Sequence, residues 1–125
     1  MSGRTITYLS DVALITCIVQ RGIGDDIARA AQAAGAQGAT IYYAKGGGMR
    51  ERLGVLGVCV EVEKEVVNIL VSMDQKEEVF NSIYLAGKLD TPGMGLAYIT
   101  PLEKAATYVP PDVVARLENA QKAES

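Results

Sequence analysis

Histidine and tryptophan are absent from this chain of 125 residues, and phenylalanine occurs once. Without histidine there is no Ser-His-Asp triad and no imidazole ligand for a metal, which removes many enzyme classes at once. Cysteine occurs twice, as Cys17 and Cys59, each inside an apolar run and with no Cys-x-x-Cys spacing. Neither a disulfide framework nor a thiolate metal site is expected from them; two buried thiols acting as small hydrophobes are. No stretch reaches the roughly 18 apolar residues of a membrane span, and Met1 to Thr5 leads into only a short apolar segment, so a cytoplasmic protein is expected. Basic charge is short as well. A net charge of −3 and a pI near 4.9 argue against a nucleic-acid partner, which calls for a basic face or stripe.

What the chain does have is apolar residues, 49% of the total, enough for one domain with a true core and too few residues for two. The core is expected over about residues 11–109, followed by a C-terminal helix and tail over 110–125. Val12 to Val19 is apolar on both alternating faces, with Ala13, Ile15, Cys17 and Val19 on one and Val12, Leu14, Thr16 and Ile18 on the other. Such a strand has to be covered on both sides. Gly24-Asp25-Asp26 opens a helix, since acidic residues offset the positive helix end, and Gly35 supplies a left-handed stop. Ile27, Ala30, Ala31 and Ala34 form its apolar side, small enough for close packing on a sheet. Ala39 to Ala44 is a second strand.

From Val55 onward two readings are open: one long strand bent at Glu63-Lys64, or a loop ending near Lys64 that feeds a strand from Val66 to Val71. The second is preferred. Asp74-Gln75-Lys76-Glu77 has the form of a capping box for a helix with Val79, Phe80, Ile83 and Tyr84 inward, ended by Gly87. Leu96 to Ile99 is a strand, and Thr100-Pro101-Leu102-Glu103 reads as a cap and first helical turn running to Ala106. A last amphipathic helix is expected from Pro111 to about Ala120.

Two glycine-dense segments interrupt this order. Lys45-Gly46-Gly47-Gly48-Met49-Arg50-Glu51-Arg52-Leu53-Gly54 follows the second strand, and Gly87-Lys88-Leu89-Asp90-Thr91-Pro92-Gly93-Met94-Gly95 precedes the last one. Consecutive glycines let a backbone approach a ligand, and arginine forks behind them suit phosphate or carboxylate. The plainer alternative is a flexible hairpin with Arg50 and Arg52 as solvated charges, because glycine motifs by themselves are unspecific.

The order strand, helix, strand, loop, strand, helix, loop, strand is a split βαβ, ferredoxin-like α+β plan, with two helices on one face of a four-stranded sheet. Its other face is apolar too, which predicts burial against further copies of the chain. The segment from Gly24 through Gly38-Ala39-Thr40 to Lys45-Gly46-Gly47-Gly48 resembles the P-II signal-transduction proteins. Ala86-Gly87-Lys88-Leu89-Asp90 through Gly95 is similar to their second nucleotide-binding loop, so the resemblance spans about residues 11–109. It implies a homotrimer with three clefts between subunits, each taking an adenine nucleotide (ATP, ADP or AMP), with a small anion such as bicarbonate as in some P-II-like proteins. It also implies a protruding loop that touches a partner such as a membrane transporter or an enzyme.

Carried over by position, Thr40 meets the base. Gly46, Gly47, Gly48, Met49 and Arg50 lie at the loop root against phosphate. Gly87, Lys88, Leu89, Asp90, Thr91, Pro92, Gly93, Met94 and Gly95 wrap the ligand, with Lys104 as a further cation, and Glu51, Arg52 and Leu53 face the partner. Several features depart from the family pattern. The protruding loop is short and lacks a tyrosine tip, Met94-Gly95 stands where a phosphate-binding lysine is usual, and Glu103-Lys104 replaces an arginine pair. Together they point to a divergent branch.

Two other functions compete with a nucleotide-binding regulator that uses no metal. One is an enzyme on a phosphorylated or carboxylated metabolite, for which only Asp90, Glu51 and Glu103 could serve as acid or base. The other is a structural trimer without nucleotide.

Overall fold

A computed structural model describes residues 6–46, 62–108 and 111–112. In chain order the elements are β1 (Tyr8–Leu9), β2 (Val12–Gln20), α1 (Gly24–Ala33), β3 (Thr40–Gly46), β4 (Val62–Ser72), α2 (Lys76–Ala86), β5 (Gly95–Leu102) and β6 (Ala105–Ala106). The four long strands form an antiparallel sheet in the order β3-β4-β2-β5, and β1 pairs with β6 in a separate two-stranded ribbon. Each helix crosses between strands that are not neighbours, with another strand inserted between them. This is the ferredoxin-like split βαβ arrangement expected from the sequence.

β2 is central, and its register fixes the faces. Ala13 lies opposite Val71, Ile15 opposite Ile69, Cys17 opposite Val67 and Val19 opposite Glu65. Their apolar members join Ile27 and Ala31 of α1 and Val79 and Ile83 of α2 in one buried cluster. The opposite face carries Leu14, Ile18, Leu70, Leu96 and Tyr98 with no element of the described chain over it; Leu96 is 53% exposed and Tyr98 45%. Near the middle of that face, the Thr16 hydroxyl donates to Asn68 Oδ1 at 2.9 Å, which satisfies a buried side chain between strands.

Three expectations change. β4 is continuous from Val62 to Ser72, without the break preferred near Lys64, because Glu63 and Lys64 are already paired with Lys45 and Ala44 of β3. The segment Thr100 to Leu102 is not helical. It extends β5, where Pro101 faces Ala13, and a proline is tolerated there because β5 is an edge strand with one side free of ladder bonds. Ala105–Ala106 is then recruited as β6 by Tyr8–Leu9.

The capping box does not form either. α2 begins one residue after Gln75, which makes no side-chain cap bond; the Ser72 hydroxyl instead donates to Gln75 Oε1 at 3.1 Å. α2 ends at Gly87 as expected, with the left-handed residue one position further on, at Lys88 (φ 53°). The amides of Lys88 and Leu89 close back on the Leu85 and Tyr84 carbonyls, a Schellman ending with a lysine in glycine's place. Gly87 is used for packing, since a Cβ there would lie 3.2 Å from Ile27 Cδ1 of α1. α1 ends as expected, with Gly35 at φ 114°.

The strand reading of Val55 to Glu61, Cys59, and most of the helix expected from Pro111 lie outside the described residues; Pro111 and Asp112 themselves are helical.

Candidate functional site

The sheet register brings Gly46, where the first glycine segment leaves β3, and the second glycine segment to one end of the sheet. β3 ends at Gly46, opposite Val62, the first residue of β4. At the same end, β2 finishes at Gln20 and β5 begins at Gly95, which faces Val19. Gly46 and Gly95 lie on the two outer strands of the described sheet, β3 and β5, three strand spacings or about 14 Å apart. Gly47, Gly48, Met49, Arg50, Glu51, Arg52 and Leu53 lie outside the described residues, so Lys45, Gly46 and Val62 mark where their segment leaves and re-enters the sheet.

The second segment is built closely onto β2. Gly95 adopts φ 141°, and a Cβ on it would overlap the Ile18 carbonyl oxygen and lie 3.0 Å from Val19 Cα. Only glycine fits there, which gives Gly95 a packing reason whatever it binds. Gly93 is also left-handed (φ 84°), and its carbonyl accepts from Gln20 Nε2 at 2.7 Å. Thr91 and Met94 donate their amides to the Lys88 and Thr91 carbonyls, coiling the segment into successive turns. Asp90, Thr91, Pro92 and Lys88 are exposed, and Leu89 packs against the core.

Other residues singled out in the sequence are elsewhere. Thr40 starts β3 opposite Asn68, six residues and about 20 Å along the strand from Gly46, with its side chain exposed. Lys104 lies past the far end of β5, its ammonium 4.9 Å from the centre of the Tyr8 ring. Within one chain it is therefore remote from the glycine end. Asp90 and Glu103, the acid and base candidates among the described residues, sit beyond opposite ends of β5 and make no pair. No three His, Cys, Asp or Glu side chains cluster as metal ligands among the described residues, and no described helix is long and apolar enough to cross a membrane.

Residues that sequence reasoning passed over surround the root of the first segment. The Glu65 carboxylate, on the helix-covered face of β4, accepts the Gly24 amide at 2.7 Å and so caps α1 from a strand. Gly24 permits this approach, because a Cβ would lie only 2.7 Å from Glu65 Oε1. Two residues earlier on the same face, Glu63 accepts from Arg21 Nη1 at 2.7 Å, and the guanidinium also sits 5.9 Å from the Tyr43 ring centre. Tyr43, Ala44, Lys45 and Glu63 line a shallow cleft of about 190 Å³ beside this pair. The alternation Glu61-Val62-Glu63-Lys64-Glu65 was the available signal, but nothing in it says which carboxylate turns inward.

The described residues define a ferredoxin-like α+β domain, with Gly46 and the turns from Lys88 to Gly95 at one end of its sheet. The chain matches the family Nitrogen regulatory protein P-II over residues 12–109, and it belongs to that family, whose members are signalling regulators. Among solved structures it is similar to Arabidopsis thaliana PII bound to citrate, with a TM-score of 0.59 and 23% identity over 75% of this chain and 79% of that one. At that identity the likeness speaks for the fold. No curated protein matches the sequence.

Proposed function

We propose that this chain is a non-enzymatic P-II-type regulator, assembled as a homotrimer, that binds an adenine nucleotide in clefts between subunits and acts on a partner through the segment after β3. The observation that supports this reading is that Gly46 and Gly95 lie at the same end of the sheet, in a chain of the P-II family. Their separation across β4 and β2 favours a ligand held with the help of a neighbouring subunit, and the uncovered apolar face offers the surface on which subunits would assemble. Arg50 closes on phosphate above Gly46, Gly47 and Gly48, assisted by Met49. Gly87 to Gly95 wraps the ligand, Thr40 meets the base, Lys104 adds a cation from another subunit, and Glu51, Arg52 and Leu53 face a transporter or enzyme.

The test is calorimetric titration and thermal shift with ATP, ADP, AMP, cyclic nucleotides and bicarbonate. Citrate belongs in the set because it occupies the solved relative. A ligand-dependent rise in melting temperature without turnover supports the regulator; hydrolysis of the nucleotide would favour an enzyme. Arg50→Ala should weaken nucleotide binding by about 1.5–3 kcal/mol for each charged hydrogen bond lost, with the apo melting temperature nearly unchanged. Unchanged affinity for every adenine nucleotide, or collapse of the apo assembly, would make Arg50 a solvated or structural charge.

A further inference from the structure

One row of side chains interrupts the apolar face that the described helices leave uncovered. Register places Thr40 of β3 opposite Asn68 of β4, Asn68 opposite Thr16 of β2, and Thr16 opposite Tyr98 of β5, so four hydrogen-bonding side chains cross the whole sheet in line. The rows on either side are apolar at their centres. Toward the glycine end Val66 stands beside Ile18, and in the other direction Leu70 stands beside Leu14.

Inside one chain the polar row satisfies only part of itself. The Thr16 hydroxyl donates to Asn68 Oδ1 at 2.9 Å, and Thr16 is buried. That bond leaves the two amide hydrogens of the half-buried Asn68 to other acceptors. Thr40 and Tyr98 are exposed, so water serves their hydroxyls while the face is open. Covering the face removes that water, and each of these groups then needs a partner from whatever covers it.

We propose that Thr16, Asn68 and Tyr98 set the register in which copies of this chain pack on one another, each polar row supplying donors and acceptors to the row of a neighbouring copy. This register acts within the homotrimer proposed above, on which it rests. A second copy fits the face for two reasons. The four strands present about 20 by 27 Å, roughly 500 Å² a copy and roughly 1,000 Å² for a pair, which reaches the size of a specific interface. A rotation axis also keeps each residue at the same height in every copy, so a row lying across the axis meets its own equivalent, and hydroxyl and amide groups both donate and accept. A slip of one row, about 7 Å along the strands, sets Asn68 and Tyr98 against leucine and isoleucine, where nothing pairs with them. Apolar side chains by themselves are indifferent to such a slip, because their burial is non-directional. A polar group inside an otherwise apolar contact fixes register in this way at a cost in stability.

Sedimentation velocity and native mass spectrometry of the full chain without nucleotide, over a range of micromolar concentrations, read the assembly. The wild type should give one closed species. Thr16→Val, Asn68→Leu and Tyr98→Phe combined make the centre of the row apolar, and that chain should still associate, now as a mixture of sizes. Thr40 is left unchanged because the nucleotide reading also uses it. If the triple variant fails to fold, Tyr98→Phe alone carries the test, since it removes one exposed hydroxyl and leaves the buried cluster untouched. Exchange of labelled subunits between its assemblies should then quicken roughly two- to tenfold, the loss of one hydrogen bond.

A folded triple variant that forms the same single species as the wild type would overturn the register role and leave the homotrimer standing. Unchanged subunit exchange in Tyr98→Phe would do the same where the triple variant does not fold. A wild-type chain that stays monomeric would overturn the register and the homotrimer together, since the face would then be open or kept for a different partner.

Discussion

Single residues here are held by contacts their type alone does not announce. Gly95 is the most demanding: its φ of 141° and its contact with Ile18 and Val19 leave no room for a methyl group. Gly95→Ala should cost about 3 kcal/mol or more, through backbone strain and overpacking together, read as a fall in the urea midpoint. Lys88 presents the opposite case, a side chain in a left-handed position that glycine takes more readily. Lys88→Gly should stabilise the free protein by about 0.5–1 kcal/mol. If Lys88 also touches the ligand, the same substitution weakens nucleotide binding, so stability and affinity move in opposite directions.

Cys17 is fully buried in β2, and burial pushes its thiol from 9.0 up to about 12. The sign follows from which state releases the proton. The unfolded thiol ionises from about pH 9 while the folded one keeps its proton, so the contribution is complete below pH 9 and is lost between pH 9 and 12 at about 1.4 kcal/mol per pH unit. Cys17→Ala should therefore flatten the fall of stability with alkaline pH, as measured by denaturation at several pH values.

At the scale of the element, helix and strand ends are set by partners far away in sequence. α1 starts where it does because Glu65, forty-one residues on, binds the Gly24 amide. Asp25 and Asp26 add favourable charge in the same first turn. Glu65→Ala should cost about 1–3 kcal/mol, leaving a buried helix amide without its acceptor, and should show as lost exchange protection at the start of α1. α2 lacks a side-chain cap, and its stability comes from Val79 and Ile83 against the sheet, so Asp74→Ala should change stability by less than about 0.5 kcal/mol. β5 tolerates Pro101 because, among the described residues, nothing pairs with its outer side.

For the whole molecule, the decisive feature is a sheet that, among the described residues, carries helices on one face only. Leu14, Ile18, Leu70, Leu96 and Tyr98 make the other face apolar, beyond what scattered surface hydrophobes account for. Light scattering should give three times the 13.3 kDa chain mass at micromolar concentration. Leu70→Glu, which places a charge on that face without touching the buried cluster, should yield smaller species. A wild-type chain that stays monomeric would remove the homotrimer, and with it any cleft shared between subunits.

Periodicity was enough for the sequence to determine the doubly apolar β2, both helices and the split βαβ order, because hydrophobic spacing is a local property of the chain. The two glycine segments were legible for the same reason, as was the left-handed Gly35. Tertiary structure alone decided where β4 begins, that Thr100 to Leu102 is strand, and that Lys88 takes the left-handed position. In the first two cases a distant partner outweighed local preference: β3 for Glu63 and Lys64, and β2 for Pro101. The same holds for Gln20, Arg21, Glu63 and Glu65. They are unremarkable in one dimension and meet only because antiparallel register sets the end of β2 beside the start of β4.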